Sequence, residues 1–160
     1  PNSVLQPVDP QLGLRNSASS VVELNADDYL KCLTDSAGGF RFVPSATAQS
    51  LYSSIFAAWD KDAESRYFNS VVTKSVKDVS PTVTFTNQVF QQATSDLSTC
   101  TADYEIALWH TISGVPKLYR GSFRASIVKN SSSLWSIAEW VDIQTSDTAA
   151  VSWSYMKAMF

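Results

Sequence analysis

The sequence predicts an α+β domain in which the helices come first and an antiparallel sheet follows. Two observations predict this class. Apolar residues of the first half recur at the three- and four-residue spacing of helices. From about residue 82 onward, the period changes to the two-residue alternation of strands. Helices that precede such a sheet pack on one of its faces, so the other face should stay open.

The first two helices are predicted from apolar spacing and from a capping residue. Residues 11–24 carry apolar side chains at helical spacing and predict the first helix. Asn25 is a suitable N-cap for the second helix. Asp27 and Asp28 follow it, where negative charge is favourable near the positive end of a helix. The second helix should therefore begin directly after Asn25.

A short strand and a third helix complete the N-terminal half. Gly38-Gly39 predicts the end of the second helix, and residues 40–43 alternate as a strand that Pro44 ends. Residues 51–72 then carry apolar side chains at helical spacing. This spacing predicts a third helix, either long or broken.

The second half predicts four strands. They span residues 82–86, 104–111, 118–128 and 134–143. A polar loop that runs through Asp96 separates the first two, and the turn at residues 113–116 joins the second to the third. The four strands together predict the antiparallel sheet.

The third of these strands shows most clearly which face of the sheet is buried. Its alternation places Arg120, Ser122 and Arg124 on one face. The opposite face is apolar or small and is predicted to contact the helices. It carries Tyr119, Gly121, Phe123, Ala125 and Ile127.

Composition fits a single domain and excludes several partners. The chain has 160 residues, 17% of them charged, and a formal net charge of −3. This balance provides no positive field for nucleic acid. No apolar run reaches the roughly 18 residues that a transmembrane helix needs. Residues 1–10, which contain three prolines, predict an extended lead-in, and residues 11–160 predict the domain itself.

Five short motifs follow one another in a characteristic order. They are Tyr29-Leu30, the Phe-x-Phe strand at 40–44, Trp59-Asp60 with Glu64, the Trp-x-Ile-x-x-Trp-x-Asp segment at 135–142, and Ser152-Trp153 with a Lys-x-x-Phe ending at 157–160. In this order they resemble the nuclear transport factor 2 (NTF2)-like superfamily, and among its members bacterial lipoproteins of unknown function. The resemblance implies a ketosteroid-isomerase-like cone, in which about three N-terminal helices pack on a curved, mainly antiparallel sheet around a pocket.

The resemblance also suggests where chemistry would occur. Enzymes of the superfamily use a pocket Asp, His or Tyr to move protons. The corresponding candidates are His110, Asp142 and Tyr104, and Tyr119 is a candidate oxyanion donor. A structural role is the favoured interpretation of His110 and Asp142, because Asp142 can equally bond a backbone amide or cap the C-terminal tail.

Aromatic side chains are the candidate lining of a ligand pocket, although the same side chains could fill the core. The candidates are Tyr29, Trp59, Tyr67, Tyr104, His110, Tyr119 and Trp140. No metal site is predicted, because one histidine and two distant cysteines cannot form a usual zinc shell. No phosphate-binding loop is present, so we expect no cofactor. Whether Cys32 and Cys100 form a disulfide stays open.

Three functions remain. The leading hypothesis is a non-enzymatic domain that binds a small apolar ligand or a protein partner. The second is a cofactor-free isomerase, dehydratase or cyclase. The third is a structural module that pairs with a second copy through its open sheet face, as many relatives do. Because the chain begins with Pro-Asn-Ser rather than Met, we expect a removed leader and a periplasmic or lipid-anchored protein, with the cytoplasm as the alternative.

Overall fold

A computed structural model describes residues 3–35, 39–145 and 151–160, which form five helices and five strands. The elements are α1 (Pro10–Val22), α2 (Ala26–Lys31), β1 (Arg41–Val43), α3 (Ala46–Leu51), α4 (Lys61–Lys74), β2 (Thr82–Thr94), β3 (Leu97–Ala107), β4 (Leu118–Lys129), β5 (Trp135–Ile143) and α5 (Trp153–Met159). The sheet order is β1-β5-β4-β3-β2, and only β1 pairs in parallel. This architecture confirms the predicted α+β class.

The two predicted N-terminal helices are confirmed, and each is capped by a side chain. Asp9 accepts a hydrogen bond from the Leu12 amide at 2.7 Å at the start of α1. Asn25 accepts from the Asp28 amide at 3.1 Å at the start of α2. The prediction that Gly38-Gly39 ends the second helix is wrong, because α2 ends at Lys31 and Leu33 beyond it forms a parallel bridge with Ile137. Gly38 itself and the start of the lead-in lie outside the described residues.

The prediction of helix between residues 51 and 59 is wrong. α3 ends at Leu51, the residues that follow form turns, and α4 begins at Lys61 after its cap Asp60. Leu51 and Ile55 are exposed, whereas Phe56 and Trp59 are buried. The apolar spacing therefore does not mark one buried helical stripe. Of the predicted third helix only the second part is present, as α4, because α3 shares only Leu51 with the predicted segment.

The polar loop predicted before Asp96 is also wrong. β2 continues through this segment to Thr94, and a two-residue turn leads directly into β3 at Leu97. β2 is an edge strand whose side chains are mostly exposed, so its Thr and Gln residues carry no hydrophobic alternation. The predicted strand at 104–111 is the second half of β3, which ends at Ala107.

The two faces of β4 are as predicted. The side chains at Tyr119, Phe123 and Ile127 are fully buried, while Arg120 and Arg124 on the other face are exposed. α1 and α5 both contact the inner side of the sheet. The outer side is open. Among the described residues, no helix is long and apolar enough to span a membrane.

The buried interior as candidate functional site

The last helix places polar side chains inside the protein. α5 buries Trp153, Ser154, Met156 and Lys157 against the inner face of the sheet. The Trp153 ring meets the Trp140 ring edge-on at 5.2 Å, and its indole N–H donates to the Tyr67 hydroxyl at 2.8 Å. Interior polar groups cost free energy unless they are paired. Their partners therefore decide what this interior can do.

The first interior cluster holds the beginning of α5. Asp142 accepts from the Ser154 amide at 2.9 Å, from the Ser154 hydroxyl, and from the Tyr104 hydroxyl at 2.6 Å. The Tyr104 oxygen in turn accepts from the Trp153 amide at 2.7 Å. Ser152, the cap residue, makes no side-chain cap bond. Asp142 and Tyr104 therefore satisfy two of the amides that every helix start leaves unpaired.

Gly121 makes room for this cluster. It lies opposite Tyr104 in the β3–β4 pair. A Cβ atom at Gly121 would come within 2.6 Å of the Tyr104 hydroxyl oxygen and 2.9 Å of the Ile143 carbonyl oxygen. Both distances are shorter than real side chains tolerate. The glycine of the predicted apolar face is therefore required by the position of Tyr104.

The second interior cluster is a charged pair. Glu64, which is 0% exposed, accepts hydrogen bonds from the Lys157 ammonium, from the Trp59 indole N–H, and from the Tyr29 hydroxyl at 2.7 Å. The Lys157 side chain is 3% exposed. The Lys157 nitrogen also lies 4.1 Å from the centre of the Phe42 ring. Glu64 and Lys157 form a buried ion pair surrounded by aromatic rings.

Burial changes the acid–base behaviour of these groups. It lowers the pKa of Lys157, and the Glu64 carboxylate beside it acts in the opposite direction. Burial raises the pKa of Tyr29 well above its usual value, and the negative charge of Glu64 adds to the effect. The pKa of Tyr104 is raised in the same way, first by burial and then by Asp142. Both tyrosines are neutral donors at neutral pH.

Comparison with solved structures decides the fold. The β subunit of benzoate 1,2-dioxygenase from Burkholderia mallei superposes with a TM-score of 0.63 at 16% identity, over 89% of this chain and 95% of that one. An NTF2-like superfamily protein from Salmonella enterica gives 0.63 at 10% identity, over 85% and 88%. The chain has the NTF2-like fold. An NTF2-like protein of unknown function in nutrient uptake from Rhodospirillum rubrum agrees, with a TM-score of 0.60 at 9% identity over 86% and 98%.

These likenesses define the fold alone. No protein-family model matches the sequence, and no curated protein sequence matches it. The NTF2-like fold occurs in both enzymes and binding proteins. Any statement about function must therefore come from the residues of this chain.

The candidate base His110 is separated from the other catalytic candidates. Its Nδ1 accepts from the Ile112 amide at 3.1 Å, so Nε2 carries the proton and donates to the Pro116 carbonyl at 2.9 Å. The ring meets Phe160 edge-on at 5.1 Å. Tyr104 and Asp142 contact each other, whereas His110 lies beyond the end of β3, where it pairs with Ser75 and its ring bonds to neither of them.

The seven pocket candidates do not share one of the cavities found in this NTF2-like cone. Tyr29 and Trp140 line a small cavity of about 10 Å³ beside Glu64. That volume fits about one water molecule. Trp59 and Tyr67 line an open surface cleft of about 310 Å³.

The three remaining candidates are buried against protein atoms. Tyr104 and His110 have the partners given above, and the Tyr119 hydroxyl donates to the Pro116 carbonyl at 2.6 Å. Trp109, two residues beyond the end of β3, is 40% exposed and lies outside the core. The hydroxyls of Tyr104 and Tyr119 and the ring nitrogens of His110 are therefore bonded to groups of the chain itself.

The cysteines are not reactive groups. Cys32 and Cys100 are both free and buried, so the open question of a disulfide is answered. Burial raises the pKa of Cys32 to about 12 and that of Cys100 to about 11. Both therefore remain thiols at neutral pH. Within the described ranges, no group of three His, Cys, Asp or Glu side chains is placed to hold a metal ion.

Sequence reasoning missed the interior pair. Glu64 was identified as part of a packing motif and Lys157 as part of the tail, and neither was a candidate site residue. One signal was present in each case. Glu64 falls on the apolar stripe of α4 with Tyr67 and Phe68, and Lys157 follows Trp153 by one helical turn. A charge on an apolar stripe indicates a buried partner.

Proposed function

We propose that this chain is a non-catalytic NTF2-like domain that works by binding a protein partner, and that this partner is a second copy docked on the open sheet face. The observation that carries the proposal is the state of the interior. The carboxylates and the histidine that could serve in catalysis are already bonded to groups of the chain itself. The protein's activity is therefore attributed to its surface.

The interior is unsuited to acid–base catalysis. A general acid or base needs a free position within hydrogen-bond reach of the substrate. Both oxygens of Asp142 and both oxygens of Glu64 accept bonds from buried donors. Both ring nitrogens of His110 are also engaged. An apolar ligand in the cone would have to displace α5, because the cavity beside Glu64 has room for about one water molecule.

The open face, formed by the outward side chains of β2 to β5, has the mixed character of an interface. Arg120 pairs with Glu105 at 2.8 Å, and Arg124 is exposed beside them. Apolar side chains are exposed on the same face at Val89 and Ile143. A face that carries both charges and apolar groups can complement its own copy across a two-fold axis.

The comparison supports use of the fold as a subunit. One structure with the same fold is, by its name, the β subunit of a dioxygenase and hence a component of a larger assembly. Its identity to this chain is 16%. It therefore supports the proposal only as an example of the fold within an assembly.

Sedimentation equilibrium over micromolar to millimolar protein tests the proposal. The wild type should dimerise, and Arg124→Glu should weaken the dimer at least about tenfold, because the proposed self-complementary face places Arg124 opposite an acidic side chain of the second copy and the new carboxylate would be repelled there. The matched control is Arg15→Glu, an equal change on the exposed side of α1. A wild type that stays monomeric at millimolar concentration would overturn the proposal. Equal effects of the two variants would overturn the choice of face.

A further inference from the structure

The ammonium group of Lys157 is surrounded by aromatic rings. Its nitrogen lies 4.1 Å from the centre of the Phe42 ring, 4.9 Å from Tyr67, 5.2 Å from Trp153 and 5.9 Å from Trp59. Each distance is within the roughly 6 Å over which a cation is attracted to a ring face. Four such rings around one nitrogen form an aromatic cage.

The cage also contains a negative charge whose position does not depend on Lys157. Tyr29 from α2 and Trp59 from the loop before α4 both donate to the Glu64 carboxylate. These two bonds hold both oxygens of the carboxylate. The Glu64 carboxylate, which is the counter-ion of Lys157, is therefore oriented by the part of the domain that precedes α5.

The body supplies most of the cage as well. Phe42 belongs to β1, Tyr67 belongs to α4, and Trp59 lies between α3 and α4. Only Trp153 and the cation come from α5. The arrangement is that of a receptor formed by one part of the chain and a ligand supplied by another part.

We infer that Glu64, together with Phe42, Trp59 and Tyr67, forms a binding site for a primary alkylammonium group, which α5 occupies with Lys157. The chemical class follows from the contents of the cage. The rings select a cation with an alkyl stem, and the carboxylate accepts an N–H bond. A neutral apolar ligand would leave the buried carboxylate without its cationic partner, so the site should reject it.

The position of Lys157 shows how such a ligand would enter. Lys157 lines the open cleft of about 310 Å³ together with Trp59 and Tyr67. It also lines the small cavity beside Glu64. Its side chain therefore lies between the surface and the interior. When the lysine side chain is absent, a ligand that ends in an alkylammonium group would reach the cage from this cleft and take its place.

Replacement of the lysine makes the inference testable. Lys157→Ala removes three methylenes and the ammonium group, which together have the heavy atoms of n-propylammonium. The variant should be less stable than the wild type. n-Propylammonium chloride should raise its melting temperature with a saturable dose dependence, as expected for a ligand that binds the folded state. Sodium chloride at equal ionic strength and 1-propanol, the neutral isostere, should not.

Two further proteins identify the site of binding. In the wild type the cage is filled, so n-propylammonium should not raise the melting temperature beyond the salt control. In Glu64→Gln/Lys157→Ala the counter-ion is absent, and the apparent affinity should fall at least about tenfold. Equal stabilisation of the wild type, or an unchanged affinity of the double variant, would overturn the inference.

A second measurement applies if Lys157→Ala does not fold. The variant is then refolded from denaturant with n-propylammonium, 1-propanol or sodium chloride, and the near-ultraviolet circular dichroism of the tryptophans reports native packing. Recovery with n-propylammonium alone supports the inference. Equal recovery in all three solutions, or recovery in none, overturns it.

Discussion

Two ion pairs in this protein have the same chemistry and opposite surroundings. The side chains of Glu64 and Lys157 are 1% and 3% exposed in the interior, whereas those of Glu105 and Arg120 are each 50% exposed on the open sheet face. The interior pair has lost its hydration and depends on its partner, while water can replace the partner of either surface charge. The fold therefore depends on the interior pair because that pair is buried. The presence of two opposite charges in contact is not enough.

The two pairs also differ in what else connects their residues. Glu105 and Arg120 face each other in the β3–β4 ladder, so backbone bonds already hold them together. Glu64 and Lys157 are 93 residues apart in the chain. A backbone bond from the Arg120 amide to the Val151 carbonyl at 2.9 Å holds the chain just before α5. Side chains hold most of α5, so interior substitutions should release it.

The largest expected effect is that of Lys157→Ala. It leaves the Glu64 carboxylate buried without its cation and should lower the free energy of unfolding by about 3–5 kcal/mol. Denaturant titration measures this. The control is Glu64→Gln/Lys157→Met, which removes both charges but keeps an amide oxygen as an acceptor for Tyr29 or Trp59, and it should be less destabilising. If the double variant loses as much stability as Lys157→Ala, the unpaired Glu64 charge is not the cause of the loss.

Asp142→Asn should have the next largest effect. The amide replaces a carboxylate that accepts from Tyr104 and Ser154, and we expect a loss of about 2–3 kcal/mol, one charged hydrogen bond or slightly more. Asp103→Asn is the matched control on the outer face, where Asp103 accepts from Ser122 at 2.6 Å. For Asp103→Asn, the free energy of unfolding should change by no more than about 0.5 kcal/mol. Similar losses at both positions would remove the contrast between interior and surface.

Gly121→Ala should destabilise the protein by about 1–3 kcal/mol, since the new methyl group collides with the Tyr104 hydroxyl. Urea unfolding measures the loss. In a Tyr104→Phe background the same substitution should cost less, because the nearest atom is gone. Equal costs in both backgrounds would show that the backbone, and not Tyr104, requires glycine.

High pH should destabilise the interior. The raised pKa values of Tyr29, Tyr67 and Tyr104 mean that the unfolded chain releases these protons first. Their contribution to stability is therefore present below the ordinary tyrosine value of 10.0 and is lost as the pH rises above it. The lowered pKa of Lys157 has the opposite effect on stability at high pH. It belongs to one group, however, whereas the raised pKa values belong to three tyrosines.

Absorbance of tyrosinate and circular dichroism, followed together during alkaline titration, check this expectation. Part of the tyrosinate signal should appear only as the native circular dichroism disappears. Full ionisation of all tyrosines in the folded protein would contradict the burial of these hydroxyls.

The smallest effect belongs to the surface pair. Arg120→Ala should change the free energy of unfolding by about 0.2–1 kcal/mol, and this difference should shrink in high salt. Parallel denaturant titrations at low and high salt measure it. A loss comparable to that of Lys157→Ala would show that the open face is needed for folding and not only for contact.

Local patterns predicted a large part of the fold. The predicted cap Asn25 lies at the start of α2, and the two-residue alternation of β4 separates buried Phe123 from exposed Arg124. Prediction failed where burial did not follow hydropathy. The Thr and Gln residues of β2 belong to an edge strand, and the apolar residues around Ile55 lie in turns. Backbone pairing and packing with distant elements decide these segments.

The sequence by itself determined the first helix, the start of α2 at Asn25, the buried face of β4 and, through the order of its motifs, the NTF2-like fold. These features depend on residues close together in the chain, so their spacing is enough. Only the tertiary structure decided the partners of Glu64, Asp142 and Lys157. Glu64 and Lys157 bond across 93 residues, and Tyr104 and Asp142 across 38. Such contacts arise from the packing of whole elements, and local spacing cannot specify them.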